Sequence, residues 1–444
     1  MMAAGRSSLG AQPGWRWLGV LTAYWLGLAF LWGALTTVIL PRLVELAVPG
    51  YVKTTALALI AGLQAVIAIV VQPISGAASD RLTSRWGRRR PLLAGGVAVQ
   101  LVCLVILAMA TGYWAILGAM LLVEFWSDVA QGPYQGLLPD LVPAGERGLE
   151  SGLMGGATLA GSVVGVAAAG LAVTAGQTQL AIVLSALVLG ATTLITLLGV
   201  HEEAGRTAGA AGLAASARLR QLLHPDHWAV PLRRVIVEVW DRDVLDRRDY
   251  VWLLVARLLI LMATGTLQPF VYFYLEDSLG LGAQAAVATA PLAGAVALVA
   301  LLSAVPGGAV SARWGRVRTV SLSAISGAVG AALFAVAPSY AVLFLIAVPF
   351  GIALGVFLSA DWALLVDIVP LDEAGRYLGL SNTVTAAAGV LAVAIGGPLA
   401  DVINGWRFGW GYRAIFLLAA VEFVLGAWSM RRVREPAALG QAAP

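Results

Sequence analysis

Charge is scarce in this chain: 12% of its 444 residues are Asp, Glu, Lys or Arg and 60% are apolar, whereas a soluble domain carries about 25% charged residues. That balance excludes a water-soluble globule. Cysteine is nearly absent too. Cys103 stands alone in an apolar run, so neither an intramolecular disulfide nor a cysteine metal cluster can form. The three histidines, His201, His224 and His227, share one polar segment, and no Ser/His/Asp constellation can be assembled around them. His224 and His227, framing HPDH, read as part of a polar loop rather than as a metal site. No G-x-x-x-x-G-K-[ST] phosphate loop occurs, which argues against ATP as a driver. No enzyme activity, cofactor or metal is therefore expected.

What the chain does have is apolar runs of helix length, with a mean hydropathy of +0.87. A bilayer-spanning helix needs about 20 apolar residues. Backbone polar groups in lipid must be satisfied internally, so only helices or a closed barrel can span. The runs do not alternate, which selects helices. Arg6 and Arg16 precede a stretch reaching about Leu40, longer than the roughly 7 to 15 residue core of a cleaved signal, so it reads as a first span. Six spans are predicted near 18–40, 54–78, 91–111, 113–135, 151–174 and 178–200. Six more follow near 250–274, 284–310, 318–337, 340–366, 377–400 and 411–430. The units expected are a first half at 1–200, a central linker at 201–249 with amphipathic helix near 213–223 and 232–239, a second half at 250–430, and a tail at 431–444.

The net charge of +4 could point to nucleic acid, but the arginines gather at helix ends, where they orient a membrane protein instead. Arg81, Arg85, Arg88, Arg89 and Arg90 follow span 2; Arg313, Arg316 and Arg318 follow span 8; eight arginines from Arg206 to Arg248 occupy the central segment. The connections Thr111–Tyr113 and Ala337–Tyr340 have none, although Arg407 and Arg413 fall on that same side. Both termini should therefore be cytoplasmic, in a multi-pass protein of the plasma membrane and without nucleic-acid partners.

The basic loop also repeats. Gly76, Ser79, Arg81, Gly87, Arg88 and Arg90 find counterparts in Gly308, Ser311, Arg313, Gly315, Arg316 and Arg318. Likewise LPDLVP at 138–143 with Arg147 matches LVDIVP at 365–370 with Arg376. Two six-helix halves related in this way form a parallel repeat, as in the major facilitator fold, where substrate binds near the midplane between the halves.

Several motifs resemble one family within that fold. Ser79-Asp80-Arg81 followed by Ser84-Arg85-Trp86-Gly87-Arg88-Arg89-Arg90-Pro91 resembles the loop signature of the sucrose-transporter-like branch of the glycoside, pentoside and hexuronide cation symporters. Residues 124–143, EFWSDVAQGPYQGLLPDLVP, are similar to that branch's fourth helix and following loop, with Gln131-Gly132-Pro133 the most distinctive part; Arg257 with Leu275-Glu276-Asp277 also fits. The resemblance implies a secondary transporter moving sugars or glycosides with protons. The chain departs from the pattern at Glu124, where the family has Asp; at Asp128, where it has Asn; and at Ala312, which replaces Asp80 in the second loop.

Ionisable groups within the spans are the sharpest chemical signal, since each costs roughly 2.5 to 3.5 kcal/mol on insertion scales. Glu124 and Asp128 share one helix face, about 16 Å along span 4 at 1.5 Å per residue for Glu124. Two carboxylates that close disfavour double ionisation, which suits proton uptake and release; the alternatives are lining an aqueous cavity or pairing with a fixed cation. Arg257 is expected to pair with Asp128 or Asp361 across the halves, or else to snorkel to headgroups. Asp80, Arg81, Arg88 and Arg90 are expected to gate one side together with Asp140, while Asp140 with Arg147 and Asp367 with Arg376 look like matching latches. Orientation alone is the other role open to these arginines; Asp80→Ala should impair transport if the loop gates. Trp32, Thr36, Gln64, Gln131, Gln268 and Tyr272 are the substrate candidates, because amides bond hydroxyls and aromatic faces stack on sugars. Asn382 and Thr385 are weaker candidates, and Glu422 reads as a structural acid. The expected partners are a small-molecule substrate, protons and the lipid bilayer, with the protein a monomer. An amphiphile efflux antiporter is the main rival, and a transporter-like receptor or membrane enzyme the lesser one.

Overall fold

The computed structural model describes residues 15–79, 82, 84, 86–142, 147–200, 247–368 and 374–434. Twelve helices in it are long and apolar enough to cross a membrane. Spans 1 to 6 are Arg16–Ala47, Lys53–Gly76, Arg90–Met109, Tyr113–Leu137, Leu153–Thr174 and Thr178–Gly199. Spans 7 to 12 are Arg248–Ser278, Gly282–Trp314, Arg316–Val336, Tyr340–Leu365, Thr383–Trp406 and Trp410–Met430. The predicted linker helices and the gate residues Asp80 and Arg81 lie outside the described residues.

Helix packing repeats with the sequence. Span 1 packs on spans 5 and 6, span 2 on span 4, and span 3 on spans 4 and 6; each of these pairings recurs six spans later, as 7 with 11 and 12, 8 with 10, and 9 with 10 and 12. The halves then meet through span 2 on span 11 and span 5 on span 8. Repetition extends to single residues, because Gly87 and Gly315, matched by the loop repeat, share a φ of 97° that side-chain-bearing residues rarely adopt. Gly315 caps the third helix of its half directly, and Gly87 stands three residues before the helix that starts at Arg90.

Two spans run furthest past their expected ends. Span 1 continues past Leu40 to Ala47, through a π-helical turn at Leu35–Ile39 and then an α-helix with Pro41 in its first turn. Span 11 runs on to Trp406. In both cases charged residues inside the helix, Arg42 and Glu45 or Asp401, read in sequence as an end.

The C-terminal ends of spans 2, 4, 6, 8 and 10 share one side, called here the basic side. The connections at 48–52, 110–112, 175–177, 279–281, 337–339 and 407–409 form the far side. Leu, Val and Trp side chains such as Leu187, Val305 and Trp406 are exposed around the outside, as expected of helices that face lipid rather than water.

Candidate functional site

Span 4 is fixed against its neighbours by small residues. A Cβ on Gly132, from the Gln-Gly-Pro motif, would fall 2.5 Å from the Gln72 carbonyl oxygen, so only glycine lets spans 2 and 4 approach this closely. The contact aims the acidic face of span 4 at spans 1 and 2. Gln64 Nε2 donates to Glu124 Oε2 at 3.0 Å, and Ser75 Oγ donates to the Asp128 carbonyl oxygen at 2.9 Å. Asp128 is buried within electrostatic reach of Tyr24. Asp128 Oδ2 and Tyr24 Oη have no hydrogen-bond partner among the described residues, an unusual state for buried polar atoms.

Arg257 is paired, but not across the halves. Its Nη1 donates to Asp361 Oδ2, and its Nε and Nη2 each lie 3.3 Å from Thr385 Oγ1. All three residues belong to the second half, on spans 7, 10 and 11, so the expected inter-half pair is an internal brace of one half, and Asp128 is not part of it. Both charges are buried, and the guanidinium does not snorkel. In the first half, Tyr134 holds the repeat position of Asp361, and there Trp25 stacks on the tyrosine ring at 5.9 Å. The same helix junction is ionic in one half and aromatic in the other.

A cavity of about 310 Å³ opens between the halves. Thr37, Thr158 and Ser162 contribute from the first half, and Thr264, Gln268 and Thr289 from the second, while leucine, valine, alanine and phenylalanine make up the rest of the wall. No ionisable residue lines it among the described residues. Of the predicted substrate residues only Gln268 reaches this space. Gln64 is occupied by Glu124, and the Thr36 hydroxyl donates to the Trp32 carbonyl at 2.6 Å. Tyr272 is buried edge-on against Phe273, and Gln131 is half-buried on span 4 outside the cavity lining. Thr37 takes the place expected of Thr36 because the π-helical turn at Leu35–Ile39 rotates the register of span 1, which no periodic reading anticipates.

On the basic side, Asp367 pairs with Arg316 at 2.5 Å, and Arg316 also donates to the Ala363 carbonyl. The expected partner of Asp367, Arg376, has its side chain outside the described residues; Asp367 is engaged by the loop arginine of its own half. Arg90 donates to the Leu197 carbonyl. Arg88 is exposed on the loop. The side chains of Asp140, Arg147 and Arg376 lie outside the described residues, as does that of Asn382.

Polar contacts between the halves gather on the far side, where the sequence reading placed none. Asp401 of span 11 caps the start of span 2: Thr55 N donates to Oδ2 at 2.6 Å, Thr54 N to Oδ1 at 3.3 Å, and the Thr54 hydroxyl also bonds the carboxylate. The same hydroxyl lies 2.9 Å from the Gly397 carbonyl oxygen. Beside it, Lys53 reaches Asp277 at 2.7 Å and Glu276 at 3.3 Å, with Phe273 under its ammonium at 4.5 Å. Tyr412 donates to Asp277 Oδ2 at 2.7 Å. One signal could have exposed this cluster: Lys53 is the only lysine in the chain, and it stands beside an apolar run.

Twelve spans in two repeated halves, with a cavity between them, polar contacts joining the halves on one side and buried acids alongside, define a membrane transporter. Comparison with known proteins agrees. The model of the Major Facilitator Superfamily matches residues 46–391 and 292–443, and the chain belongs to that superfamily. It is 31% identical over 204 residues to the human proton-associated sugar transporter A, covering 40% of this chain and 26% of that protein. It is 31% identical over 138 residues to sucrose transport protein SUC4 of Arabidopsis thaliana, covering 27% and 26%. The chain thus spans about a quarter of the length of these two relatives. The multidrug resistance protein MdtG of Escherichia fergusonii is 25% identical over 447 positions, covering 96% of this chain and 97% of MdtG. Among solved structures, nucleoside transporter NupG superposes with a TM-score of 0.66 at 15% identity, covering 94% of this chain and 98% of that one. A bacterial homolog of the human lysosomal transporter Spinster, inward-facing and unoccupied, gives 0.68 at 16%, covering 96% and 100%. At these identities the structural likeness speaks for the fold alone.

Proposed function

We propose that the protein is a proton-coupled symporter that imports a sugar or glycoside by alternating access, in the sucrose-transporter-like branch. The observation that carries this reading is Glu124 on Gln64, an acid inside the membrane held by a neutral hydrogen-bond donor rather than by a fixed cation. An acid so placed can take up and lose a proton without breaking an ion pair. Asp128, with a carboxylate oxygen left unpartnered among the described residues, is its second station.

The uncharged cavity supports a neutral substrate. Gln268 supplies both a donor and an acceptor for hydroxyls, and the apolar wall favours a glycoside with an apolar face over a bare polyol. Arg257 and Asp361 keep the second half rigid while it moves. The halves are 1–200 and 250–430, joined by 201–249, with the basic side and the tail at 431–444 cytoplasmic in the plasma membrane. The protein works as a monomer. Asp80, Arg81, Arg88, Arg90, Asp140, Arg147 and Arg376, with the Asp367–Arg316 pair, gate that side, and the Lys53 and Asp401 contacts gate the other.

The test is uptake of labelled glycosides into proteoliposomes under an imposed pH gradient. Accumulation that collapses with a protonophore is expected; accumulation indifferent to the gradient would refute the coupling. One observation favours a second reading: the full-length match to a multidrug resistance protein, joined to the apolar cavity wall, fits an antiporter for amphiphilic compounds. Dye extrusion without glycoside uptake would decide for it.

A further inference from the structure

A second cavity, also about 310 Å³, opens away from the transport path, on the outer face of spans 8, 9 and 10. Pro306, Val310 and Trp314 of span 8, Leu322 of span 9, and Ile352 and Val356 of span 10 form its apolar wall. The neighbouring side chains are open to the surroundings: Val305 is 81% exposed and Trp314 65%. In a membrane that exposure means contact with lipid.

Four hydroxyls also line the groove, yet none has its hydrogen to spare. Ser303 donates to the Ala300 carbonyl at 3.1 Å, Thr319 to Gly315, Ser323 to Val320 and Ser326 to Pro349, each at 2.8 Å. A polar ligand would find few donors here; a hydrocarbon chain needs none. The groove ends at the Gly315 turn, on the basic side, where three arginines stand within six residues. Arg316 is engaged by Asp367 and the Ala363 carbonyl. Arg313 and Arg318 are exposed and form no ion pair among the described residues. Arg313 follows Val310 by three positions and Arg318 precedes Leu322 by four, so helix periodicity puts each on the face that lines the groove. Trp314 between them is a residue type enriched at headgroup level.

We propose that this groove is a binding site for an anionic phospholipid, with an acyl chain along spans 8 to 10 and the phosphate held by Arg313 and Arg318. No acidic side chain lines the groove among the described residues, and Asp367 beside it is paired with Arg316, which leaves Arg313 and Arg318 to set the charge at the mouth. A zwitterionic headgroup brings its own cation to that mouth and gains less. Basic pockets between helices at the membrane surface select anionic headgroups for this reason.

Native mass spectrometry of the purified full chain, incubated with phosphatidylglycerol or phosphatidylcholine of matched chains, tests the site directly and independently of transport. Wild type should retain phosphatidylglycerol roughly tenfold better, given two arginines at a headgroup. The Arg313→Gln/Arg318→Gln double variant should fall to the phosphatidylcholine level, and Arg407→Gln, on the far side, should behave as wild type. Val310→Trp, which fills the groove, should lower retention with both arginines intact; Val310→Leu is the milder version if the first is unstable on gel filtration. Equal retention of the two lipids by wild type, or undiminished phosphatidylglycerol retention by the double variant, would overturn the proposal.

Discussion

Asp401→Asn isolates the far-side closure with a single atom exchange. The carboxylate accepts from Thr55 N, Thr54 N and the Thr54 hydroxyl, all on the opposite half. It acts as an N-cap borrowed from another helix, and such caps are worth about 0.5–2 kcal/mol. Its negative charge at a helix N-terminus adds about 0.3–1 kcal/mol. The amide keeps one acceptor oxygen and the shape but loses the charge and the second acceptor. A loss near 1.4 kcal/mol is therefore reasonable, and it corresponds to a tenfold change in the balance between closed and open far sides. Conformers in the minority commonly hold about 0.1–10% of the population, so a far-open form at about 1% would rise to about 10%. Spin labels at Thr111→Cys and Phe408→Cys, both exposed in far-side connections of opposite halves, read this directly in a Cys103→Ser background. Electron–electron distance distributions should gain a longer component in Asp401→Asn and more of it when Lys53→Gln is added. An unchanged distribution in the double variant, with the protein folded by gel filtration, would refute the assignment of these contacts to the gate.

The remaining expectations concern the acids and the cavity. Glu124→Gln should abolish gradient-driven accumulation while leaving exchange of substrate between two pools, measured by counterflow, because only the proton station is lost. Removing one partner of a buried ion pair costs about 3–5 kcal/mol, so Arg257→Gln or Asp361→Asn should lower the thermal midpoint in a melting assay, and the reversed pair Arg257→Asp/Asp361→Arg should recover part of it. Gln268→Ala should raise the KM for uptake roughly tenfold through loss of hydrogen bonds to substrate, whereas Gln131→Ala, outside the cavity lining, should leave KM unchanged.

The fold was legible in the sequence because its signals are long and repeated. Apolar runs set the spans, and the Gly87 and Gly315 loops announced a duplication that the paired φ angles and the recurring helix contacts display. The acidic face of span 4 was legible too, since Glu124 and Asp128 are conspicuous in an apolar helix. Substrate contacts were harder to read. A π-helical turn changes which threonine faces the cavity, and no window of hydrophobicity encodes it. The far-side contacts escaped for a different reason: Lys53, Asp277 and Asp401 are distant in sequence and look like ordinary charges at helix ends until the halves are brought together. Arg257 and Asp361 were recognised as partners, but sequence places a charge on a span without saying which neighbour that span packs against.

Span 7 has a further consequence. It changes backbone form along its length, from α-helix up to Leu267, through a 3₁₀ turn at Gln268–Phe270 opened by Pro269, to a π turn at Tyr274–Ser278. Tight and wide turns advance the chain by different angles per residue, so converting one into α-helix would rotate everything beyond it about the helix axis. Gln268 faces the cavity below this joint, and Glu276 and Asp277 hold Lys53 above it. Tightening or relaxing the turn at Gln268 would thus swing the two carboxylates relative to the lysine and load the contacts that tie this end to span 12 and the connection before it, Tyr412 to Asp277 and Ser278 to Gly409. The span therefore carries the cavity's amide at one end and the partners of Lys53 at the other, on either side of a joint that need not stay as it is.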